Sequence, residues 1–331
     1  MASQRAGLDR VVIGASAGGI EALSQLVAKL PADLPAAVFV VLHVAAGTPS
    51  ALPAILRRRG PLPAAHPDHG EEIRPGRVYV APPDHHLLIE NDQVLLGRGP
   101  RENRVRPAID VLFRSAALGY GPRVIGVVLT GYLDDGAAGL LAIKQRGGLA
   151  IVQDPQDAAC SAMPLAALAA VTPDHVVPIS EMGALLAELV GMPVPQVDPP
   201  ERAPALTRAE VASSEVLDPG PSQMSVAAGA ATGVACPDCG GGLFELNEGR
   251  LGRFRCYLGH AYSPESLLSA QRDEMERSLW VALRLLEERA SILQSLAQRV
   301  SEIGNVRLAD QYVTRAAALR EHASRLRELL K

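Results

Sequence analysis

The stretch that decides the fold is Val-Val-Ile-Gly-Ala-Ser-Ala-Gly-Gly at residues 11–19, an apolar run that breaks at Gly14 and places Ser16 in a glycine-rich turn. Gly14, Ser16 and Gly18 fit the pattern G-x-S-x-G, in which small flanking residues permit a sharp strand-to-helix turn and leave the hydroxyl exposed. The same residues nearly match the dinucleotide-binding pattern G-x-G-x-x-G, but position 16 is serine instead of glycine. This stretch predicts a strand followed by a helix, and it leaves open a nucleophilic serine, a cofactor loop or a plain turn.

Short apolar runs alternate with helical patterns from residue 10 to about residue 190, which is typical of a parallel sheet covered by helices. Strands are predicted at 10–14, 37–42, 77–81, 123–129, 149–153 and 175–178. Helices are predicted at 19–30, 49–58, 107–119, 136–147, 162–170 and 181–190. Residues 85–96 predict a hairpin with its turn at Asn91-Asp92. We therefore expect a doubly wound α/β fold whose sheet is mostly parallel, with an antiparallel excursion.

Composition restricts the class of protein. The chain has 331 residues, of which 48% are hydrophobic, 21% charged and only 3% aromatic, so it can form a large core built on Ala, Leu, Val and Ile. No run approaches the roughly 20 apolar residues of a membrane span, and the N-terminal residues lack a signal-peptide core, so we expect a cytoplasmic protein without membrane insertion. The net charge of −4 provides no general basic surface, so no nucleic-acid partner is expected.

The composition changes at residue 193 and divides the chain. We predict an α/β domain over 1–192 and an extended, largely disordered linker over 193–232, where seven prolines occur. A small metal-binding module is predicted over 233–262 and a helical hairpin over 263–331. Ser263 predicts the N-cap of the first hairpin helix, Pro264 its first residue, and Gly304-Asn305 the break between the two helices.

Three polar residues directly follow predicted strands. Ser16 follows strand 10–14, His43 follows strand 37–42, and Asp135 lies in the turn after strand 123–129. Because functional groups of open α/β sheets gather at the carboxyl ends of the strands, these residues predict a nucleophile, a base and an orienting carboxylate. The alternative for each is structural: a hydrogen-bonded histidine at a strand end, and Asp134 or Asp135 as a helix N-cap.

Five blocks of sequence resemble the catalytic domain of chemotaxis protein-glutamate methylesterases, and together they span about residues 9–190. The blocks are residues 13–23, Leu42-His43, residues 80–86, residues 106–113, and residues 128–131 with 135–139. The resemblance implies that Ser16, His43 and Asp135 are the catalytic residues. It also implies hydrolysis of glutamate methyl esters on chemoreceptors or related sensory proteins with release of methanol, and deamidation of receptor glutamines in many members. No cofactor is implied for this catalysis.

The oxyanion of such a reaction needs backbone donors, for which the amides of Ala17 and Tyr132 are the candidates. Here the sequence departs from the family pattern. Tyr132-Leu133 replaces the usual Met-Gly, and Val105 replaces a common histidine. His86 lies in a matched block, and we expect it to be a residue at the edge of the site or a structural histidine instead of a second base.

A typical family member begins with a phosphorylatable receiver domain, whereas this catalytic block starts within about ten residues of Met1. We therefore expect no control by an attached aspartyl phosphate.

A second cluster follows the pattern C-x2-C-x16-C-x3-H with Cys236, Cys239, Cys256 and His260. Two close ligand pairs with three thiols and an imidazole suit a tetrahedral Zn²⁺ ion, and a full ligand set indicates a structural metal. Free structural cysteines are the alternative.

Residues 242–246 and 253–255 predict two strands of a ribbon around Gly249. The remaining cysteine, Cys160, is expected to be a small buried residue.

Three functions remain open at this stage. The first is an active methylesterase, and the second is a weakly catalytic sensory scaffold that docks partners or a second copy through its zinc-helical tail. The third is a nucleotide-binding α/β protein, which Ser16 disfavours because it replaces the central glycine of the phosphate loop. An apolar stripe like that of the tail usually serves only to pack a helix against its partner helix, which is the alternative to docking.

Overall fold

The computed structural model describes residues 7–44, 49–194, 205–215, 229–248 and 251–330. The chain forms two compact units, Met1–Leu267 and Leu268–Lys331. None of the helices in the described part of the chain is long and apolar enough to cross a membrane.

The first unit is built on a seven-stranded sheet in which every neighbouring pair is parallel. The strand order is β10-β9-β8-β1-β2-β5-β3. With elements numbered in chain order, its strands are β1 (Arg10–Ala15), β2 (Ala37–Leu42), β3 (Ala64–Ala65), β5 (Arg77–Val80), β8 (Val124–Val128), β9 (Leu149–Gln153) and β10 (His175–Val177). On one side of β1 the strands follow in chain order as β8, β9 and β10, and on the other side β2 is followed by β5 with β3 at the edge, so the topological switch point lies between β1 and β8.

Alternating side chains of the central strands enter two different cores, which explains why these strands are apolar throughout. On β1, Val11 and Ile13 pack on one face and Val12 on the other; on β2, Val38 and Phe39 divide in the same way. Helices cover both faces: α1 (Gly19–Val27), α2 (Leu52–Arg59), α3 (Ile109–Tyr120), α4 (Ala137–Gln145), α5 (Ala162–Ala170) and α6 (Ile179–Leu189), with a 3-10 turn at Gly121–Arg123. The prediction of a doubly wound α/β fold is confirmed.

The predicted antiparallel hairpin forms but does not join the central sheet. Strands β6 (His86–Glu90) and β7 (Gln93–Gly97) pair around Asn91-Asp92, and β4 (Glu71–Glu72) pairs with β7 to complete a separate three-stranded sheet. The expectation of a mixed central sheet is therefore wrong. The hairpin packs against α3 through Leu87 and Ile89, which lie in the same core as Phe113, so it covers a helix instead of extending the sheet.

The predicted linker over 193–232 is wrong for residues 205–215, which form helix α7 (Ala205–Glu215). Val211 of α7 packs into a small core with Leu88, Ala108 and Val111. Val105, the residue that replaces the family histidine, lies against this same core. The proline content predicts an extended chain here. The buried side chain of Val211 and the buried carboxylate of Glu210 instead hold the helix against the domain. Residues 195–204 and 216–228 of the predicted linker lie outside the described residues.

A four-stranded antiparallel sheet follows α7 and belongs to the first unit. Its strands are β11 (Ala230–Ala235), β12 (Gly242–Glu248), β13 (Leu251–Cys256) and β14 (Ala261–Tyr262). The paired strands β12 and β13 confirm the predicted ribbon, although Gly249 lies outside the described residues. The separation predicted between residues 1–192 and 233–262 differs from the structure, because Ala261 pairs with Glu102 of the α/β domain and both segments lie in one compact unit.

Helix α8 (Pro264–Glu302) begins in the first unit, and α9 (Val306–Leu329) lies in the second. Both predicted helices and the break at Gly304-Asn305 are confirmed. Within the second unit, buried alanines recur every seven residues on both helices, namely Ala290, Ala297, Ala309, Ala316 and Ala323. The ion pair of Glu287 with Arg327 and the hydrogen bond of Arg320 to Gln294 fit one antiparallel register, so small side chains allow close helix packing.

Candidate active site

The three residues predicted to act together lie at one edge of the sheet. Ser16 follows β1, His43 follows β2 and Asp135 follows β8, and these strands are neighbours. The Ser16 amide donates a hydrogen bond to the carbonyl of Thr130 at 2.9 Å, and the His43 amide donates to the carbonyl of Ala15 at 3.2 Å. The three strand ends are therefore tied together by the main chain.

His43 and Asp135 are joined directly. The distance from Nε2 of His43 to Oδ2 of Asp135 is 2.8 Å. Because an ionised carboxylate can only accept, Nε2 carries the proton in this bond and Nδ1 keeps its lone pair. A histidine held in this tautomer can accept a proton from a hydroxyl group.

Asp135 is buried and ionised. Its Oδ2 also accepts from the amide of Ile109 at 2.7 Å, and its Oδ1 accepts from Nδ2 of Asn103 at 3.0 Å and from the amide of Asp110 at 3.2 Å. Burial raises the pKa of Asp135, but these donors, His43 foremost among them, outweigh it and hold the pKa below its ordinary value. The network keeps a buried carboxylate charged beside the imidazole.

The alternative that Asp134 or Asp135 caps α4 with its side chain is wrong. The N-cap residue of α4 is Gly136, without a side-chain capping bond, and two buried amides at this helix end donate to a side chain of α3. Oδ1 of Asp110 accepts from Gly136 at 3.1 Å and from Gly139 at 2.6 Å. Burial, with the charge of Asp135, raises the pKa of Asp110 to about 7.

The turn that carries Ser16 depends on two glycines. Gly18 is the N-cap of α1 and has φ 76°, a left-handed conformation that glycine adopts without strain. Gly131 passes so close to Ser16 that an added Cβ would lie 2.7 Å from the serine Cβ and 2.0 Å from Sδ of Met163. The chain can approach the serine at this point only because position 131 has no side chain.

The two predicted oxyanion donors flank this approach. Within the described residues, neither the Ala17 amide nor the Tyr132 amide has a hydrogen-bond acceptor. Leu133, which replaces the usual family glycine, has φ 59°. A leucine in the left-handed region is strained by about 1–2 kcal/mol, and a glycine would adopt this conformation without that strain.

His86 is a structural histidine. It is fully buried, its Nε2 donates to the carbonyl of Pro100 at 3.0 Å, and its Nδ1 accepts from the amide of Ala108 at 3.2 Å. Burial lowers its pKa to about 4. Both ring nitrogens are occupied, so His86 is not available as a second base, and the structural option of the prediction holds.

A buried charge cluster that the sequence did not indicate connects three parts of the first unit. It comprises Glu102 of the α/β domain, Arg114 of α3, Glu210 of α7, and Arg253 and Arg255 of β13. Arg255 lies 2.5 Å from Glu102, and Arg253 lies 2.8 Å from Glu210. Burial raises the pKa of Glu102, but the charges of Arg114 and Arg255 outweigh it and keep this pKa far below its usual range.

Asn103 and Asp110 are also residues that sequence reasoning missed. Both lie next to or inside the block 106–113, which carries the family resemblance, but a lone Asn or Asp has no pattern that reveals a buried network. A cavity of about 480 Å³ adjoins them and is bounded by Asp134 and by Ser263 at the start of α8. Ser16 and His43 are not among the residues that line this cavity.

The predicted metal-ligating residues also come together. The ligand atoms of Cys236, Cys239, Cys256 and His260 all lie within 4.8 Å of one another. Cys239 and Cys256 have their sulfurs 3.6 Å apart, and Nδ1 of His260 lies 3.5 Å from the Cys256 sulfur and 3.7 Å from that of Cys236. Zn–S bonds of about 2.3 Å in a tetrahedron place two sulfurs about 3.8 Å apart, so the spacing fits such an ion.

Cys160 does not belong to this cluster. It is partly exposed, so the expectation that it is buried is wrong. Its carbonyl accepts from the amide of Gly131 at 3.0 Å, which places it beside the serine turn.

Comparison with known proteins decides the family. The sequence profile described as CheB methylesterase matches residues 11–186, which are more than half of the chain. The chain belongs to the CheB methylesterase family. The matched residues of this CheB-family chain include positions 16, 43 and 135, whereas the Cys/His cluster lies outside them.

Relatives agree with this assignment. A protein of Leptospira interrogans (strain Fiocruz L1-130) is 41% identical over 182 residues. It is named as a protein-glutamate methylesterase/protein-glutamine glutaminase, and the match covers 55% of this CheB-family chain and 94% of that protein. Protein-glutamate methylesterase/protein-glutamine glutaminase 2 of Anaeromyxobacter dehalogenans is 39% identical over 187 residues, 56% of this chain and 55% of that protein. The chain thus spans about half the length of this second relative.

A solved structure shows the same fold. The crystal structure of the Thermotoga maritima CheB methylesterase catalytic domain has 35% sequence identity and a TM-score of 0.53 to this CheB-family chain. The similarity covers 55% of this chain and 98% of that domain.

Proposed function

We propose that this chain is a protein-glutamate methylesterase that hydrolyses γ-methyl esters of glutamate on a methylated chemoreceptor or a related sensory protein. The observation that carries the proposal is the hydrogen bond between His43 and Asp135 at the strand edge where Ser16 lies. Family membership supports the substrate class, because relatives are named for this activity and for glutamine deamidation. A cytoplasmic location agrees with cysteines that remain available as metal ligands.

The reaction is acyl transfer by three side chains. Nδ1 of His43 removes the proton of the Ser16 hydroxyl while Oγ attacks the γ-carbonyl carbon of the ester. Asp135 holds the imidazole through Nε2 and stabilises the imidazolium that forms. The proton then passes to the departing methoxide, methanol leaves, and water attacks the acyl-enzyme in the same manner. With a glutamine substrate the same steps release ammonia.

The oxyanion of the tetrahedral intermediate would be bound by the amides of Ala17 and Tyr132. Their lack of an acceptor in the described residues supports this role. One donor of this kind contributes about 2.7–4 kcal/mol to the transition state. The exposed Tyr132 side chain is not required, since the donor is the main chain.

We propose a structural zinc ion at Cys236, Cys239, Cys256 and His260. The sulfur and nitrogen spacing described above supports it, and a thiolate set is the chemistry that Zn²⁺ selects. All four positions are protein ligands, so the ion would stabilise the ribbon and take no part in hydrolysis.

We also propose that the hairpin mediates association with a second copy of this chain. Large apolar side chains of α8 remain exposed along the second unit, namely Leu268, Met275, Leu285 and Ile292. An apolar row of this kind on a helix whose other face is already packed suits a helical bundle. Light scattering should give the mass of a dimer for the wild type and of a monomer for Ile292→Glu. A wild type that is monomeric at all concentrations would contradict this proposal.

The experiment that tests the main proposal is methanol release from a methylated receptor fragment by the wild type and by Ser16→Ala. It separates an esterase from a scaffold, because a scaffold releases no methanol in either form.

A further inference from the structure

We propose that Asn103 is a positioning residue for the carboxylate of Asp135, and that the Cys/His ribbon holds Asn103 in place. The catalytic meaning of this inference rests on the proposed function. The geometry itself is independent of it.

Asn103 lies between two buried carboxyl groups. Its Nδ2 is 3.0 Å from Oδ1 of Asp135 and 3.0 Å from Oδ2 of Asp110. Since an amide nitrogen has two hydrogens, it can donate to both oxygens at once. Without this donor, two carboxyl groups would face each other in an environment of low dielectric constant, where like charges repel strongly.

The same bond sets the direction of the Asp135 carboxylate. Oδ2 of Asp135 bonds to His43 and to the amide of Ile109. The carboxylate can still rotate about this oxygen, so the donors to Oδ1 fix the orientation of its plane. The holding groups are the Asn103 side chain and the amide of Asp110. Rotation of this plane would misalign the bond to the imidazole, and catalytic geometry tolerates little error.

The oxygen of the Asn103 side chain is held by the segment that directly follows the Cys/His ribbon, at the start of α8. Oδ1 of Asn103 accepts from the amide of Ser263 at 3.1 Å and from Oγ of Ser266 at 3.3 Å. The Asn103 amide donates to the carbonyl of Ala261 at 2.8 Å. Donors surround Oδ1 and acceptors surround Nδ2, so the side-chain amide has only one satisfied orientation.

Two contacts on either side of Asn103 also join the α/β domain to the segment from β13 to the start of α8. On one side, Glu102 pairs with Arg255 of β13 at 2.5 Å. On the other, Oγ of Ser263 donates to Oδ1 of Asp134 at 2.7 Å, next to Asp135. Ser263 follows His260 of the proposed zinc site by three residues, so an ordered ribbon presents its donors to Asn103 in a fixed position.

Two substitutions separate a role of Asn103 in positioning Asp135 from a role in filling space. Asn103→Asp preserves the shape of the side chain, but a carboxyl group has at most one O–H, so it cannot donate to Asp135 and Asp110 at once. Asn103→Ala removes both shape and donor. Asn91→Ala is the matched control, because Asn91 also has a left-handed backbone, with φ 49° against 48° for Asn103, but lies in the exposed hairpin turn.

Two readouts are measured on the full-length chain. The first is kcat and KM for p-nitrophenyl acetate, a small activated ester that can be assayed without a receptor, with the rate of Ser16→Ala subtracted as background. The second is the low-field proton resonance of the His43–Asp135 hydrogen bond. Outer partners that orient metal ligands typically contribute about 10- to 100-fold, and we expect a loss of similar size here, so that Asn103→Asp and Asn103→Ala lower kcat by that factor with little change in KM. We expect both to shift or abolish the resonance, and Ser266→Ala to do so more weakly.

The inference is overturned if Asn103→Asp keeps the wild-type kcat and resonance, or if Asn91→Ala loses as much as Asn103→Ala. Should Asn103→Ala not fold, Asn103→Asp and Ser266→Ala still decide. Failure of the proposed function is recognised separately: the wild type would then release no methanol from a methylated receptor fragment, while the resonance would still report whether Asn103 positions Asp135.

Discussion

His43 and Asp135, 92 residues apart in the chain, meet through Nε2 of the imidazole and Oδ2 of the carboxylate at 2.8 Å. The contact exists because β2 and β8 both border β1, so the loops that follow them emerge at the same edge of the sheet. With Nε2 donating to the carboxylate, Nδ1 of His43 keeps its lone pair and can accept a proton.

Replacement of Asp135 by Asn tests this arrangement. An amide can turn either its oxygen or its nitrogen toward His43, and it loses the charge that stabilises the imidazolium, so we expect kcat for ester hydrolysis to fall by about 10⁴-fold, as in other triads. Steady-state kinetics with p-nitrophenyl acetate measure the loss. Asp174→Asn, at a surface ion pair with Lys144, serves as the control, and a triad role is contradicted if the two variants behave alike.

The Cys/His cluster predicts a metal content of about one zinc per chain. Cys239→Ser should lower it because oxygen is a poorer ligand than thiolate in this set, and it should lower the thermal stability of the first unit. Elemental analysis and calorimetry check both effects. Cys160→Ser, outside the cluster, should retain the zinc; an equal loss of metal in both variants would show that the ion binds elsewhere.

The buried charge cluster predicts a large effect of a single truncation. Arg255→Ala removes a positive charge that balances the buried carboxylate of Glu102. Loss of one partner of a buried ion pair typically lowers the free energy of unfolding by about 3–5 kcal/mol. Urea unfolding measures the change in free energy. Arg74→Ala removes an exposed pair with Glu72 and should cost no more than about 1 kcal/mol, so similar values for the two variants would contradict a buried network.

His86 predicts a loss of stability in acid. Its pKa is about 4 in the fold and about 6.5 in the unfolded chain. The unfolded chain therefore binds a proton that the fold excludes, and the free energy of unfolding decreases as the pH falls from about 6.5 to about 4, by roughly 3 kcal/mol in total. Asp110, with a pKa near 7, acts in the opposite direction, since its ionisation in the fold is unfavourable.

For this reason the comparison is made between the wild type and His86→Gln, which keeps a donor and an acceptor but does not titrate. The difference in unfolding free energy between the two should change over this pH interval. A difference that is constant with pH would contradict the role of His86.

Periodicity predicted most of the fold. Ser16, His43 and Asp135 could be located because each follows a strand whose apolar run is unmistakable, and parallel strands bring their carboxyl ends together. The ligand cluster could be predicted because close Cys and His pairs have few other uses. Both are patterns of spacing along the chain.

What could not be predicted depends on contacts between distant segments. Glu210 and Val211 lie in a proline-rich stretch, and only their burial against α3 and β13 gives the helix a reason to form. Asn103 has no neighbours in sequence that reveal its two carboxylate partners. The hairpin at Asn91 was located correctly, but whether it joins the sheet is decided by packing on α3.

The most direct test of the account is the release of methanol from a methylated chemoreceptor signalling fragment by the purified chain and by Ser16→Ala. We predict release by the wild type and only the uncatalysed background in the variant, with the folded state of both verified by circular dichroism. Equal release by the two proteins would contradict Ser16 as the nucleophile, and no release by either would contradict the proposed activity.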